Sequence, residues 1–432
     1  MSASASTLPT TRELKASHRM PRRSLASRVV LSLAFLVVLF FSSRSAHAYP
    51  WMIRHEYSGC IPCHADPSGG GLLTLYGRAQ GEILLRTQYG KAIEDPGKAA
   101  DFLFGAVPLP DSLLLGGDAR EAALLVKPQG QPSTTDVFLM QGDLEGQLTV
   151  SRFRANASVG FAQEGAFGAA LTRGSKDNLV SRLHWLGVDL GEDNQFLLRA
   201  GRMNLPFGLR TVEHVAWTRM YTRTDSNDAQ QDGVAFAFNV KKLRGEVMAI
   251  AGNFQEAPDA FRERGYSGYV EWEPHPKITL GASSLITHAN VGMDPNRVPL
   301  AGDLVRQAHG IFARFVPAKP LVLMIEGDVL YDSQPATTTT AAINSAGVVD
   351  QIEADFEPIQ GVHVIAIGEI LQKKSDLPVP GPTQPWFRAW GAVNWFFAPH
   401  ADLRIDGIYE SDAQGGERLG IATLLAQLHV YL

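Results

Sequence analysis

Cys60-Ile61-Pro62-Cys63-His64 is the stretch of this chain whose residue types and spacing imply covalent chemistry. Two thiols three positions apart, followed directly by an imidazole, form C-x-x-C-H. At this spacing both sulphurs add across the vinyl groups of a haem while the histidine ligates its iron from one face. The closeness is required, because two thioether bonds fix the porphyrin plane and the next residue then falls beneath the metal. The expectation is one covalent haem c on Cys60, Cys63 and His64. Two other readings of the same residues stay open. A C-x-x-C pair can be a redox disulfide, although a thioredoxin-like site expects a strand-helix setting that Tyr49 to Gly59 does not supply. It can also be half of a zinc site, although Cys60 and Cys63 are the only cysteines in the sequence.

Electron-transfer haem takes Met or His as its second axial ligand. Met52 and His55 lie just upstream of the motif, with His55 the first choice, and inward-facing residues further along, Met324 and His429 among them, are rivals. After the motif, Asp66-Pro67-Ser68-Gly69-Gly70-Gly71 reads as a flexible turn, and Leu72, Leu75, Tyr76, Ala79 and Ile83 recur at helical spacing. Such a helix would cover a haem face or pack on the domain that follows. A segment of roughly 60 residues is too short for an independent cytochrome core, so burial of the haem must lean on the rest of the chain.

Three regions set the context of the motif. Residues 1–48 read as a secretory signal peptide: Arg22, Arg23 and Arg28 precede an apolar run from Val29 to Phe41 and an A-x-A site at Ala46-His47-Ala48. As a helix that run reaches only about 20 Å, short of a membrane span. Residues 49–112 form the haem segment and residues 113–432 the main domain. Without residues 1–48, which hold seven basic and one acidic side chain, 32 basic side chains face 43 acidic ones, a formal net charge of −11. That balance speaks against a nucleic-acid partner.

From residue 113 onward, stretches of about ten residues alternate apolar and polar positions, the pattern of strands in a transmembrane antiparallel barrel. Sixteen candidate strands can be marked, from Ala119–Lys127 to Leu419–Leu432. Proline-bearing turns recur between them, such as Glu273-Pro274-His275-Pro276-Lys277 and Phe397-Ala398-Pro399-His400-Ala401, because proline cannot donate to a ladder. Longer polar connections, including Asn204–Asp232 and Asp332–Gly347, alternate with them. The asymmetry predicts short turns in the periplasm, long loops outside, both chain ends on the periplasmic side, and the haem segment there or in the lumen. In Leu321–Tyr331, Leu321, Leu323, Ile325 and Val329 should face lipid and Met324, Glu326 and Asp328 the lumen. Gln351, Glu353 and Asp355, and Arg404, Asp406 and Glu410, form further inner faces, suited to a solvated pore or a cation path. Trp386, Trp390, Trp395, Phe396 and Phe397 read as an interfacial girdle.

With these residues in view, the chain resembles the fused monohaem cytochrome-porin family of the outer membrane. The resemblance is carried by Pro50 and Arg54 ahead of Gly59-Cys60-Ile61-Pro62-Cys63-His64, then Pro67 and Leu75-Tyr76-Gly77. It implies an N-terminal c-type haem, a sixteen-stranded barrel in the lipid bilayer, and, from the best-known members, ferrous iron oxidation. The expected activity is then an oxidoreductase of the Fe(II):cytochrome c type, with an extracellular donor and a periplasmic c-type cytochrome as acceptor. Separately, Leu198-Arg199-Ala200-Gly201-Arg202 with Leu205-Pro206-Phe207-Gly208 looks like a strand-and-loop segment of phosphate-selective and related porins. The rival expectation is a diffusion porin whose haem segment is a plug or regulator. Oligomeric state is not legible.

Overall fold

The computed structural model describes residues 49–89, 96–163, 169–172, 178–192, 195–211, 213, 215–227, 229–254, 263–289, 292–293, 299–300, 304–334, 343–375, 384–414 and 417–431. The expected signal peptide, residues 1–48, lies outside them.

Alternation of apolar and polar side chains forces strands, and sixteen of them form. The first eight are β1 (Leu113–Pro128), β2 (Thr134–Val150), β3 (Phe153–Ala162), β4 in two pieces (Asn178–Val180 and His184–Leu190), β5 (Phe196–Met203), β6 (Gln231–Val240), β7 (Leu243–Gly252) and β8 (Arg264–His275). The second eight are β9 (Ile278–Ala289), β10 (Leu304–Ala318), β11 (Leu321–Gln334), β12 (Ile343–Ile359), β13 (Val362–Ser375), β14 (Trp386–Ala398), β15 (Ala401–Gln414) and β16 (Glu417–Tyr431). Each pairs antiparallel with the next, and β16 returns to β1 with Asp118 opposite Tyr431 and Pro128 opposite Ile421. The result is a closed sixteen-stranded antiparallel barrel, which leaves no sheet edge.

Tight turns at Ser151-Arg152, Lys241-Lys242, Pro276-Lys277, Lys319-Pro320, Gln360-Gly361 and Pro399-His400 share one end of the barrel with the start of β1 and the end of β16. Gly361 has φ +83°, and a Cβ there would also run into Thr87 of the N-terminal segment, so both conformation and contact require glycine.

The outer face is apolar. Leu144, Leu186, Ile311, Ile325, Ile352 and Leu424 all point outward and are exposed, a display suited to hydrocarbon rather than water. Met324, Glu326 and Asp328 are each 1% exposed and face the lumen, as do Gln351, Glu353 and Asp355. The girdle expectation on β14 needs correction. Trp395 points outward, but Trp390 and Phe396 are buried on the inner face and Trp386 packs against Trp217, because alternation sends neighbouring aromatics to opposite sides.

The lumen is filled from two directions. The described residues of 204–230, within the connection Asn204–Asp232 expected among the outer loops, instead fold inward and carry the short helix α3 (Trp217–Thr222), labelled with α1 (Leu75–Leu84) and α2 (Pro96–Ala100) before it. Trp217 N–H donates to Glu369 Oε1 at 2.5 Å, Thr218 Oγ1 to Gln351 Oε1 at 2.8 Å, and Leu209 N–H to Glu326 Oε2 at 3.0 Å. Arg219 also pairs with Glu326, and Glu213 with Arg404. Leu205, Phe207 and Trp217 fill an apolar core with Trp185, Met248 and Leu285 of the wall. The sequence pattern hid this fold because a loop rich in polar groups reads as solvated, whereas here wall carboxylates satisfy those groups. The inner wall is therefore not polar throughout, as expected for a solvated pore. Near the short-turn end Phe312, Val316, Val322, Met324 and Phe396 point inward and pack on Tyr49, Trp51, Met52 and Ile53 of the N-terminal segment.

Candidate functional site

The C-x-x-C-H residues form one helical turn, since the backbone N–H groups of Cys63 and His64 donate to Cys60 O at 3.1 and 3.0 Å. The chain then doubles back. Ala65 N–H donates to Leu72 O at 2.8 Å, Thr74 N–H to Cys63 O at 3.0 Å, and His64 bridges to Leu73. The reversal runs through Asp66, whose Oδ1 accepts from Ser68 N–H (2.9 Å) and Ser68 Oγ (2.7 Å), and through Gly69, Gly70 and Gly71, all at positive φ. His64 is 2% exposed, and its Nδ1 lies 3.0 Å from Gly70 O. Such a contact sets the ring orientation, as the non-ligating nitrogen of a metal-bound histidine does.

Helix α1 holds the turn from behind. Thr74 Oγ1 caps it by accepting from Gly77 N–H at 3.0 Å and donates to Pro62 O at 2.8 Å. The face it buries is not the apolar one expected. Leu75 and Tyr76 are exposed, whereas Gly77, Arg78, Gly81 and Glu82 are buried. Arg78 bonds Leu115 O of the wall and Glu82 lies 3.2 Å from His400. Glycine decides this face, because a Cβ on Gly77 would stand 2.3 Å from Cys63 O. Gly77→Val should cost the segment about 1–3 kcal/mol by overpacking. The check is faster tryptic cleavage within residues 49–112 on an intact barrel.

The segment is latched by ion pairs inside the lumen. Arg199, on β5, reaches Asp66 at 2.9 Å and Glu246 of β7 at 2.6 Å, and lies over the Trp185 ring. Arg54 pairs with Asp355 and, at 3.1 Å, with Glu357. Leu72 N–H donates to Glu145 at 3.0 Å. Around Cys60 stand Arg210, Arg244, Arg314 and Glu271. Burial pushes both thiols up, Cys63 to about 11. Thiol-exchange sites depend on the opposite shift.

Met52 and His55 part company. Met52 is 6% exposed and borders the space of about 30 Å³ lined by Cys60, Cys63 and Tyr57. His55 points away to Glu357, 3.9 Å distant, and burial lowers its pKa. Met324 lies in the apolar cluster with Met52, and His429 is held between Asp402 (2.8 Å) and Asp118 (3.2 Å). Of the donors a haem c would need, the Cys60 and Cys63 thiols and the Met52 thioether border one space, and the His64 imidazole, oriented on Gly70 O, borders another. Nε and Nη2 of Arg210, also lining that space, are buried with no hydrogen-bond partner among the described residues, and such atoms suit a carboxylate-bearing ligand. Spaces of about 30 and 20 Å³ beside the thiols and His64 hold a water or two. A porphyrin would therefore displace flanking side chains. Among the described residues no cluster of three or more metal-binding side chains forms.

Arg210, Arg244 and Arg314 were not singled out by sequence. The signal available was a polar residue at an inward position of β7 and β10, and for Arg210, on an irregular loop, there was none.

Neither a protein-family profile nor a curated protein matches the chain. Solved structures similar to it include the outer-membrane protein OmpT of Vibrio cholerae in trimer form (TM-score 0.54, 10% identity, 74% of this chain and 100% of that one). Others are the outer-membrane channel DcaP of Acinetobacter baumannii (0.55, 10%, 74% and 97%) and an anion-selective porin from Comamonas acidovorans (0.53, 12%, 74% and 99%). At these identities the likeness speaks to fold. With the apolar outer face and the closed ladder, it makes this chain an outer-membrane β-barrel that sits in a lipid bilayer.

Proposed function

We propose that this barrel is a porin-like outer-membrane protein closed by its own N-terminal segment, and that the segment carries a covalent haem c for electron transfer. The observation that carries the reading is the C-x-x-C-H turn seated in the lumen at the short-turn end, with His64 turned onto Gly70 O. By the usual asymmetry of such barrels, that end is periplasmic. Cys60, Cys63 and His64 would hold the haem, and Met52, which borders the thiols, would be a further residue able to hold its iron. Bound there, haem supplies a one-electron redox centre. The protein's own part is to shield it from lipid and hold cations and carboxylates around it. A soluble periplasmic cytochrome is the proposed partner on that side, and a donor such as Fe(II) would enter from the loop side. What suggests this arrangement is the resemblance of the residues around Cys60-Ile61-Pro62-Cys63-His64 to the cytochrome-porin fusions.

A diffusion channel with the segment as plug or regulator is the second reading. The porin and channel neighbours support it more directly than they support electron transfer. The packed lumen, with a space of about 130 Å³ between the Gly69–Gly71 turn, β1, β2 and the inward loop, favours a closed rather than an open pore. Two measurements decide. A pyridine haemochrome spectrum of protein expressed with a c-type maturation system should give one haem per chain. Planar-bilayer recording of that protein should then give little conductance in either redox state. Absence of haem, with steady solute conductance, would leave the channel reading alone.

A further inference from the structure

The arginines around Cys60 are not equally satisfied. Arg244 shares Glu271 (2.5 Å) with Arg314 (2.6 Å), and Arg244 reaches Glu273 at 3.4 Å and Ser58 Oγ at 3.0 Å. Arg314 also donates to Ser58 O at 2.7 Å. Arg210 is different. It has no ion pair with a described residue, its guanidinium lies 5.8 Å from the centre of the Tyr269 ring, and the unpartnered Nε and Nη2 are two of its donors. Desolvating charged donors without an acceptor is costly, so a side chain held this way suits an anion that arrives with a ligand.

The inward loop aims it. Gly208 sits at φ +58°, where a Cβ would strike Glu326, and the next residue, Leu209, is tied by its N–H to the same carboxylate. This anchor turns the chain so that the Arg210 Cβ lies 3.9 Å from where a Cβ on Gly69 would stand, at the reversal following the C-x-x-C-H turn. Arg210 thus belongs by sequence to the barrel loop and by position to the cysteine site.

We propose that Arg210 binds a carboxylate at the Cys60–Cys63 site, and that in the haem-loaded chain this carboxylate is a haem propionate. The inference rests on the haem reading above and deepens it. The inward loop and the haem segment become one unit, with the loop adding Arg210 to the charges that the wall residues Arg244, Arg314 and Glu271 place around Cys60. Loss of a cation at this position disfavours the reduced haem relative to the oxidised one.

The test compares wild type with Arg210→Gln and Arg210→Lys, each matured with haem, by haemochrome content and by spectroelectrochemical midpoint potential across pH. Haem content should stay equal, since the thioether residues are untouched. Arg210→Gln should shift the reduction equilibrium about tenfold toward the oxidised state, about 59 mV for one electron, and move the pH dependence of the midpoint upward as the propionate loses its partner. Arg210→Lys should recover most of both. An unchanged midpoint and pH profile in Arg210→Gln at equal haem content overturns the proposal. So does a change confined to anion preference in bilayer recordings, which would assign Arg210 to free luminal anions. A wild-type protein without haem removes the reading beneath it, and haem content separates that failure from the others.

Discussion

Cys60→Ala/Cys63→Ala is expected to carry no covalent haem and to lose electron transfer across reconstituted vesicles entirely, while still folding as a heat-modifiable barrel. The two effects separate because the thiols contribute little to the barrel. Their backbone turn is held by Cys60 O, Thr74 and the Gly69–Gly71 reversal, none of which needs sulphur. The assay is reduction of an acceptor enclosed in the vesicles by a donor outside, alongside haemochrome content. Transfer that persists at the wild-type rate in the haem-free variant would refute the electron-transfer proposal. It would leave the plug as a structural element.

Arg199→Met should produce the second large effect, release of the N-terminal segment from the lumen. Arg199 is buried between Asp66 of the segment and Glu246 of the wall, and its removal leaves two buried carboxylates facing each other. Breaking a buried pair in this way costs about 3–5 kcal/mol, which is on the order of 10²- to 10⁴-fold in the seating equilibrium. New conductance in planar bilayers and faster proteolysis within residues 49–112 are the expected readouts. A variant as closed and as protected as wild type would show that the latch lies elsewhere. Acid should act through the same pair. Burial alone would raise the Asp66 carboxyl, but Arg199 outweighs it and holds the group below its ordinary value. A depressed carboxylate contributes stability that is present above its unfolded pKa of about 3.9 and lost as pH falls through the folded value. Seating should therefore be complete at neutral pH and weaken only in strong acid.

The Asn204–Asp232 connection and helix α1 mark where local pattern stops informing. Both were read by their own polarity and periodicity, and both take their faces from distant partners. Glu326, Gln351 and Glu369 draw the loop inward, while Cys63 and Leu115 make α1 bury Gly77 and Arg78 rather than Leu75 and Tyr76. Apart from Cys63 and Gly77, these partners lie 37 to 152 residues apart, beyond any local window of sequence.

What the sequence determined by itself was whatever depends on neighbours along the chain. Alternation with period two and proline at the turns dictated strands, their inward and outward faces, and a barrel. The spacing Cys60, Cys63, His64 carried the expectation of haem chemistry in the same way, because thioether geometry is local. Only the tertiary structure decided that the lumen is filled, that Met52 and not His55 borders the thiols, and that three arginines from β7, β10 and the inward loop surround Cys60. The physical reason is closure: side chains from many strands converge in a barrel's interior, and their pairing is set by burial and charge balance across the lumen rather than by order along the chain.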